Sequence, residues 1–278
     1  MTSVAIWLGT LILYLPAPHG AYLSADSRYD GGDPARRDEA QKIFLCGKAA
    51  VCAISGGLRM DVTGENGKAA SFDLQALTAA ASAEMLASAD QRPEALVNLL
   101  RGSITPRLQQ FWNSYLAGRR VTAPLSQRLG AASLFTLLLA AEGAGPGEPV
   151  TLVQIMFPFR EQRLGDGTWV QELREPVTRV ADASRPLAQG RTDCMRIRPD
   201  QPPDTGTREA TLATMEGLYG RAQEVAACEA VIGGAIDIAV IENGAARWLR
   251  RKPAEPSTRA GTPRRRIALP YRRATSGA

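Results

Sequence analysis

Apolar stretches of strand length alternate with turn residues in the part of the chain that ends at Leu58. The stretches are TLILYL, AYLSA, KIFLC and AAVCAIS, and glycine, proline and polar residues separate them. β-Branched and aromatic side chains favour strands, while the separating residues have turn chemistry. The pattern therefore predicts four strands in this part of the chain.

Helical spacing replaces the strand pattern after this region. Residues 72–89 are rich in alanine, and residues 93–118 form either a second helix or a broken pair with a kink at Pro106. Strand patterns return in ASLFTLLLAAE, PVTLVQIMFPFRE and TWVQELR. A helix over residues 208–231 then precedes a closing hairpin, in which AIDIAVI and ARWL flank ENG. This order contains no βαβ alternation and predicts antiparallel sheets covered by helices.

Net charge is concentrated at the end of the chain. The chain of 278 residues is 45% hydrophobic, which is enough for a sizeable core, and its net charge is +5. Residues 250–278 hold nine basic residues and one acidic residue, so they carry +8 and leave −3 for the rest. We expect a folded domain over residues 10–251 and a disordered basic tail over residues 252–278. The clusters RRK and RRR in the tail are interpreted as a solvated extension, so no specific nucleic-acid partner is expected.

The histidine and cysteine content restricts the candidate chemistry. His19 is the sole histidine, which excludes multi-histidine metal sites, and the four cysteines contain no CxxC pair. We expect neither a metal nor another cofactor. Cys46 and Cys52 lie on one face of a predicted hairpin, where they are either bridged in an oxidising compartment or small buried hydrophobes.

The N-terminal run VAIWLGTLILYL has two interpretations. It is too short for a transmembrane span and no basic residue precedes it, although the following PAPHGA has small residues that suit a signal peptidase. The alternative is a pair of strands, which its β-branched residues favour. We therefore expect no transmembrane span and favour a cytoplasmic location, with export as the alternative.

Two segments carry a family resemblance. GTLILYLPAPHGAYLSADSR and QKIFLCGKAAVCAISGG, at residues 9–28 and 41–57, resemble the start of a proteasome β-type subunit of the N-terminal-nucleophile hydrolase superfamily. The resemblance extends to Leu58, and GGAIDIAVIENGAARWL resembles the late part of the family more weakly. It implies an α+β fold, a four-layer αββα sandwich of two antiparallel sheets between helix layers.

The resemblance also implies a site. Thr10 is followed along the chain by Asp26, Lys42 and Gly56, at the intervals that the family shows. Without a gap, these positions match the family's nucleophilic threonine, the aspartate of its D-S-R motif, its active-site lysine and its oxyanion glycine. Gly9 matches the residue before the family's cleavage point.

The chemistry explains why these residue types are needed together. A threonine hydroxyl is a weak nucleophile, and a free α-amine on the same residue can act as its base, with an ordinary pKa of about 8. That amine exists only after cleavage behind Gly9, so residues 1–9 are interpreted as a propeptide. A buried Lys42 oriented by Asp26 favours the neutral amine, and the Gly56 N–H can donate to the oxyanion.

The chain departs from the family pattern at the supporting positions. Arg28 matches the D-S-R motif, but Ile232 stands where the family has a serine and Glu229 where it has an aspartate. Glu229 can replace the aspartate, whereas Ile232 cannot replace the serine. Thr2 is a second candidate nucleophile, but its greater distance from Asp26 along the chain requires an insertion relative to the family.

The sequence is therefore compatible with three functions. The first is a proteasome-like threonine hydrolase that cleaves peptide or amide bonds and assembles as a homo-oligomer. The second is a catalytically silent scaffold or assembly protein of the same family. The third is nucleic-acid binding through the basic tail.

Overall fold

Strands dominate the computed structural model, which describes residues 3–9, 11–30, 38–63, 69–143, 145, 147–190, 194, 203–229 and 231–252. Of the described residues, 44% lie in strands and 28% in helices. The strands form two antiparallel sheets, one of nine strands and one of five.

The larger sheet carries the longest strands. Its members are β1 (Ser3–Gly9), β4 (Tyr29–Asp30), β5 (Ile43–Gly47), β6 (Ala50–Thr63), β7 (Ala69–Asp73), β8 (Ser133–Glu142), β9 (Val150–Arg163), β10 (Trp169–Leu173) and β11 (Val177–Ala181). The order across the sheet is β10-β9-β8-β6-β1-β4, with β5 and β7 also paired to β6 and β11 paired to β9. Strand β1 is thus an inner strand, with β6 on one side and β4 on the other.

The smaller sheet combines the two ends of the folded chain. Its members are β2 (Leu11–Ala17), β3 (Gly20–Asp26), β12 (Leu187–Gly190), β13 (Ile236–Glu242) and β14 (Ala245–Arg250). The order is β12-β2-β3-β13-β14. The early hairpin β2–β3 therefore lies beside the closing hairpin β13–β14.

The two sheets pack face to face around an apolar core. Leu23 and Ile12 of the smaller sheet belong to the same buried cluster as Val51, Leu138 and Leu152 of the larger one. Since side chains alternate across a strand, the remaining residues of these strands face outward, towards helices.

Helices cover part of each outer face. Their bounds are α1 (Leu74–Ala87), α2 (Pro93–Tyr115), α3 (Leu125–Leu129), α4 (Arg208–Gln223) and α5 (Ala226–Glu229). Leu100 and Leu108 of α2 pack against the larger sheet, and Met215 of α4 packs against the smaller one. Helix α2 continues through Pro106 without a break.

The expectation of a four-layer αββα sandwich is wrong. The described chain is mainly β, and its helices do not form two layers around the sheets. Helix α4 is the sole long helix described on the smaller sheet, and α3 and α5 have five and four residues. The four layers were implied by the family resemblance, and helical periodicity in the sequence does not determine how much of each sheet a helix covers.

The run VAIWLGTLILYL is a pair of strands, as the second interpretation predicted, but the two strands join different sheets. Strand β1 ends at Gly9 in the larger sheet, and β2 begins at Leu11 in the smaller one. The chain thus passes from one sheet to the other between Gly9 and Leu11. Thr10 and Thr2 lie outside the described residues, as do residues 253–278 of the predicted tail.

Candidate active site

A buried ion pair joins two of the predicted site residues. Asp26 is the last residue of β3, and Lys42 lies just before β5. Lys42 Nζ lies 2.8 Å from Asp26 Oδ1, and neither side chain has exposed surface. The family-like interval between these two residues therefore corresponds to a direct contact between the two sheets.

Asp26 also binds two backbone N–H groups from distant parts of the chain. Its Oδ1 accepts from Leu11 N at 3.2 Å, and its Oδ2 accepts from Gly233 N at 3.1 Å. Hydrogen bonds that favour the charged carboxylate compensate for its burial. Asp26 thus holds the start of β2 and the turn before β13 at one point.

Lys42 is held by a second acceptor and shifted by its surroundings. Its Nζ donates to Arg28 O at 2.5 Å as well as to Asp26. Burial lowers the pKa of Lys42, while the carboxylates of Asp26, Asp38 and Asp237 oppose that shift. The ammonium consequently releases its proton more readily than an ordinary lysine does.

Arg28 fastens the segment that carries Glu229. Its guanidinium pairs with Asp38, with Nε 2.6 Å from Oδ1, and Nη1 donates to Glu229 O at 2.5 Å. Arg28 N also donates to Gly233 O at 3.0 Å. Arg28 thus holds the backbone carbonyl of Glu229, and the Glu229 residue is exposed. Ile232, in contrast, is buried in an apolar cluster.

Gly56 lies where β6 meets both neighbouring strands. It pairs with Gly9 of β1 on one side and with Phe135 of β8 on the other. Its φ is +88°, and a Cβ at this position would lie 2.9 Å from Leu134 O. Glycine is therefore required here for conformation and for space.

The two residues that flank Thr10 contact the predicted site residues. Gly9 pairs with Gly56 and with Tyr29, and Leu11 N donates to Asp26. The chain segment on each side of Thr10 is thus fixed to a different member of the predicted set. The position of the Thr10 hydroxyl itself stays a prediction from the sequence.

Sequence reasoning missed a buried carboxylate close to Lys42 and the half-buried lysine whose backbone it binds. Asp237, opposite Ala25 in the sheet register, accepts from Lys252 N at 2.7 Å, and Lys252 Nζ donates to Ala40 O at 2.5 Å. Burial raises the pKa of Asp237 and lowers that of Lys252. An acidic residue inside the apolar run AIDIAVI was the available signal, because a carboxylate rarely occupies a buried strand without a partner.

All four cysteines are paired. Cys46 is joined to Cys52 across the β5–β6 hairpin, the bridge that the sequence left open, and Cys194 is joined to Cys228 of α5. The second bridge was not predicted, since its cysteines are 34 residues apart. Both bridges are close in sequence to residues of the candidate site.

The described part of the chain contains neither a helix that could span a membrane nor a cluster of metal ligands. None of its helices has both the length and the apolar composition to cross a membrane. It also contains no group of three or more histidine, cysteine and acidic side chains arranged to hold a metal ion.

Comparison with protein families and with curated proteins identifies no relative of this chain. No protein-family model matches the chain, and no curated protein matches it.

Proposed function

We propose that the chain is a self-processing threonine hydrolase that cleaves peptide bonds, with Thr10 as the nucleophile. The observation that carries this proposal is the placement of the residues around Thr10. Gly9 is paired with Gly56, and Leu11 is bound to the buried Asp26–Lys42 pair. A nucleophile between these two residues would lie beside a buried cation and a glycine that can serve an oxyanion.

The first reaction is the removal of residues 1–9. The Thr10 hydroxyl oxygen attacks the Gly9 carbonyl carbon, and the Gly9–Thr10 C–N bond breaks as an ester forms and the Thr10 nitrogen gains a proton. Water then hydrolyses the ester, which releases residues 1–9 with a Gly9 carboxylate. The products are a free hydroxyl and a free α-amine on Thr10, the base that substrate cleavage requires.

The course of β1 supports a peptide as the substrate. Strand β1 pairs with β6 along its length, from Ser3↔Thr63 to Gly9↔Gly56, and its last two residues, Leu8 and Gly9, also pair with β4. Release of residues 1–9 would leave a gap one strand wide, and strands in a sheet lie about 4.8 Å apart. An extended substrate can replace β1 there, with its backbone bonded to β6 along its length and to β4 next to the cleavage point.

Homo-oligomer formation is part of the same proposal. Leu86 and Leu99, on α1 and α2, are 44% and 36% exposed, which is high for large apolar side chains. Copies of the chain that meet through these helices would cover both residues.

The second candidate is a catalytically silent scaffold. Ile232 fills a buried apolar position where the resemblance requires a serine, and Glu229 is exposed. Both observations remove groups that would hold the α-amine and relay its proton. The two candidates differ in whether the chain loses residues 1–9.

Intact mass after prolonged incubation tests the proposal. Wild type and Thr10→Ser should lose residues 1–9 and form an adduct with an electrophilic peptide probe, since both retain a hydroxyl. Thr10→Ala should keep residues 1–9 and form no adduct, and Thr178→Ala, which changes an exposed threonine on β11 away from β1, should behave as wild type. If the wild type keeps residues 1–9 and forms no adduct with the probe, the scaffold candidate is supported. If the adduct forms at Thr2, then Thr2 and not Thr10 is the nucleophile.

A further inference from the structure

A cavity opens at the edge of the larger sheet, away from the candidate active site. It has a volume of about 620 Å³ and lies between the C-terminal half of α2 and strand β10. Its walls include Gln109, Trp112 and Asn113 from the helix and Gln171 and Leu173 from the strand. Strand β10 is one end of the sheet and β1 is near the other, so three strands separate this cavity from Gly9.

Strand β10 directs backbone groups towards the cavity. Both backbone groups of Trp169 bond to Val121, with N–O distances of 2.9 Å in each direction, on the side away from β9. Because bonding direction alternates along an antiparallel strand, Gln171 and Leu173 direct their N–H and C=O to that same outer side. No described residue bonds to these four groups.

The Gln171 side chain adds a second unpaired group at the same position. Gln171 is 4% exposed, and its carboxamide nitrogen and oxygen have no hydrogen-bond partner among the described residues. A buried amide without partners is unfavourable, so a ligand that supplies a donor and an acceptor would be favoured here.

The acidic side chains of the cavity are already engaged. Glu161 accepts hydrogen bonds from Leu125 N and from Ser126, and Glu172 pairs with Arg174 at 3.0 Å. Arg160 also lines the cavity, but it is exposed, so water can solvate its charge. The amide groups of Gln109, Asn113 and Gln171 on the cavity wall are uncharged. Their chemistry matches the alternating donors and acceptors of an uncharged peptide.

We propose that the edge of β10 at Gln171 and Leu173 binds an extended, uncharged peptide segment of a partner protein, which adds to the sheet as a further strand. Gln171 and Leu173 are two positions apart, about 6.8 Å along an antiparallel strand, and this matches alternate residues of an added strand. The Gln171 carboxamide bonds to a backbone or amide group of the same segment.

A second copy of this chain is a poorer occupant than a flexible peptide. The free part of the edge is short, because Val121 already covers Trp169, and α2 forms the facing wall of the cavity. A second copy would have to bring a whole folded domain to this short edge, whereas an extended segment brings a single strand.

Peptide binding to the full chain tests this assignment. The probe is a library of N-acetylated, C-amidated heptapeptides without charged residues, applied to the Thr10→Ala protein so that residues 1–9 stay in place. We expect at least one peptide to bind and to slow hydrogen exchange at the Gln171 and Leu173 amides. Retention of no peptide, or protection elsewhere only, overturns the proposal.

Two variants identify the contacts. Gln171→Leu removes the carboxamide and Leu173→Pro removes an outward N–H, a change that an edge strand tolerates. Each should weaken binding of the selected peptide at least tenfold, while Gln189→Leu, on β12, should leave it unchanged. Gln171→Leu decides the test alone if Leu173→Pro does not fold, and equal binding by Gln171→Leu and wild type overturns the proposal.

Discussion

Lys42 Nζ lies 2.8 Å from Asp26 Oδ1, and both side chains are completely buried. Removal of one partner from such a pair leaves a charge that water cannot reach, whereas removal of both does not. The pair is therefore a structural requirement as well as a candidate catalytic one.

Lys42→Met should lower the free energy of unfolding by about 3–5 kcal/mol, since it leaves the Asp26 carboxylate buried without its cation. The double variant Asp26→Asn/Lys42→Met should recover part of that loss. Denaturant unfolding measures both. Arg92→Met, which breaks an exposed pair with Asp90, serves as the control and should unfold at the wild-type midpoint. Simple additivity of the two single changes would show that Asp26 and Lys42 do not stabilise one another.

Gly56→Ala should destabilise the protein by about 2–4 kcal/mol, because alanine at this backbone conformation is strained and overpacked. Its φ is +88°, and its Cβ would lie 2.9 Å from Leu134 O and from Phe135 Cα. Gly102→Ala provides the matched control, because nothing lies within 4 Å of a Cβ there. As a substitution inside α2, it should stabilise by about 0.5–1 kcal/mol. Thermal unfolding that ranks the two variants in the opposite order would contradict the backbone conformation at Gly56.

A chain that begins directly with Thr10 should hydrolyse peptides without processing, because β1 no longer fills the gap between β4 and β6. The peptide TSVAIWLG, supplied separately, should inhibit it competitively by pairing with the same strands. A scrambled peptide of the same composition is the control. Equal inhibition by the two peptides would show that they bind through non-specific apolar contacts and not by pairing in the register of β1.

Tyr14 should make stability depend on pH in the alkaline range. Its hydroxyl donates to Ala183 O at 2.8 Å, and burial, assisted by the charge of Asp182, raises the pKa of Tyr14 from 10.0 to about 12. The folded protein therefore keeps a proton that the unfolded chain loses, so stability should fall as the pH rises from 10 to about 12. Two pKa units correspond to about 2.7 kcal/mol as an upper limit.

Tyr14→Phe should show a shallower decline over this range, measured by denaturant unfolding at several pH values. Tyr115→Phe, on α2, is the control and should decline as steeply as wild type. A Tyr14→Phe protein with an unchanged pH profile would show that the Tyr14 hydroxyl does not contribute.

The two disulfides should differ in their contribution to stability. Cys194–Cys228 spans 34 residues and Cys46–Cys52 spans six. By loop-closure entropy, loss of the longer bridge costs about 4 kcal/mol and loss of the shorter about 2 kcal/mol. Paired Cys→Ser variants, compared by denaturant unfolding with the wild type under oxidising conditions, test the order. A fully reduced wild type as stable as the oxidised protein would contradict both values.

The early part of the site was predictable because its information is local. The family resemblance of two short segments singles out Asp26 and Lys42, and the structure places Asp26 at the end of β3 and Lys42 just before β5, in direct contact. The partners of these residues were not predictable in the same way. Gly233 lies 207 residues from Asp26, and no local pattern connects them.

The place of β1 was also hidden from the sequence. VAIWLGTLILYL is one continuous apolar run, and hydrophobicity does not show that the sheet changes between Gly9 and Leu11. The change follows from two strand pairings, Gly9 with Gly56 in the larger sheet and Ile12 with Ala25 in the smaller sheet. Both pairings join strands of the folded core and leave no pattern in the run itself. The two helix layers that the resemblance implied are likewise absent from the described residues, where α4 is the one long helix on the smaller sheet.

The hydrogen bond from Gly233 to Asp26 also sets an order of events during synthesis. Strand β3, which carries Asp26, has β13 as its neighbour, and Lys252 reaches Ala40 from the end of the following strand. Before β13 has been synthesised, the nascent chain therefore contains the Thr10 segment but lacks Gly233, β13 and Lys252, which contact Asp26, β3 and Ala40 in the folded protein. An interrupted or truncated chain would carry the proposed nucleophile but lack the assembled site, so under this proposal incomplete products should be harmless to the proteins around them.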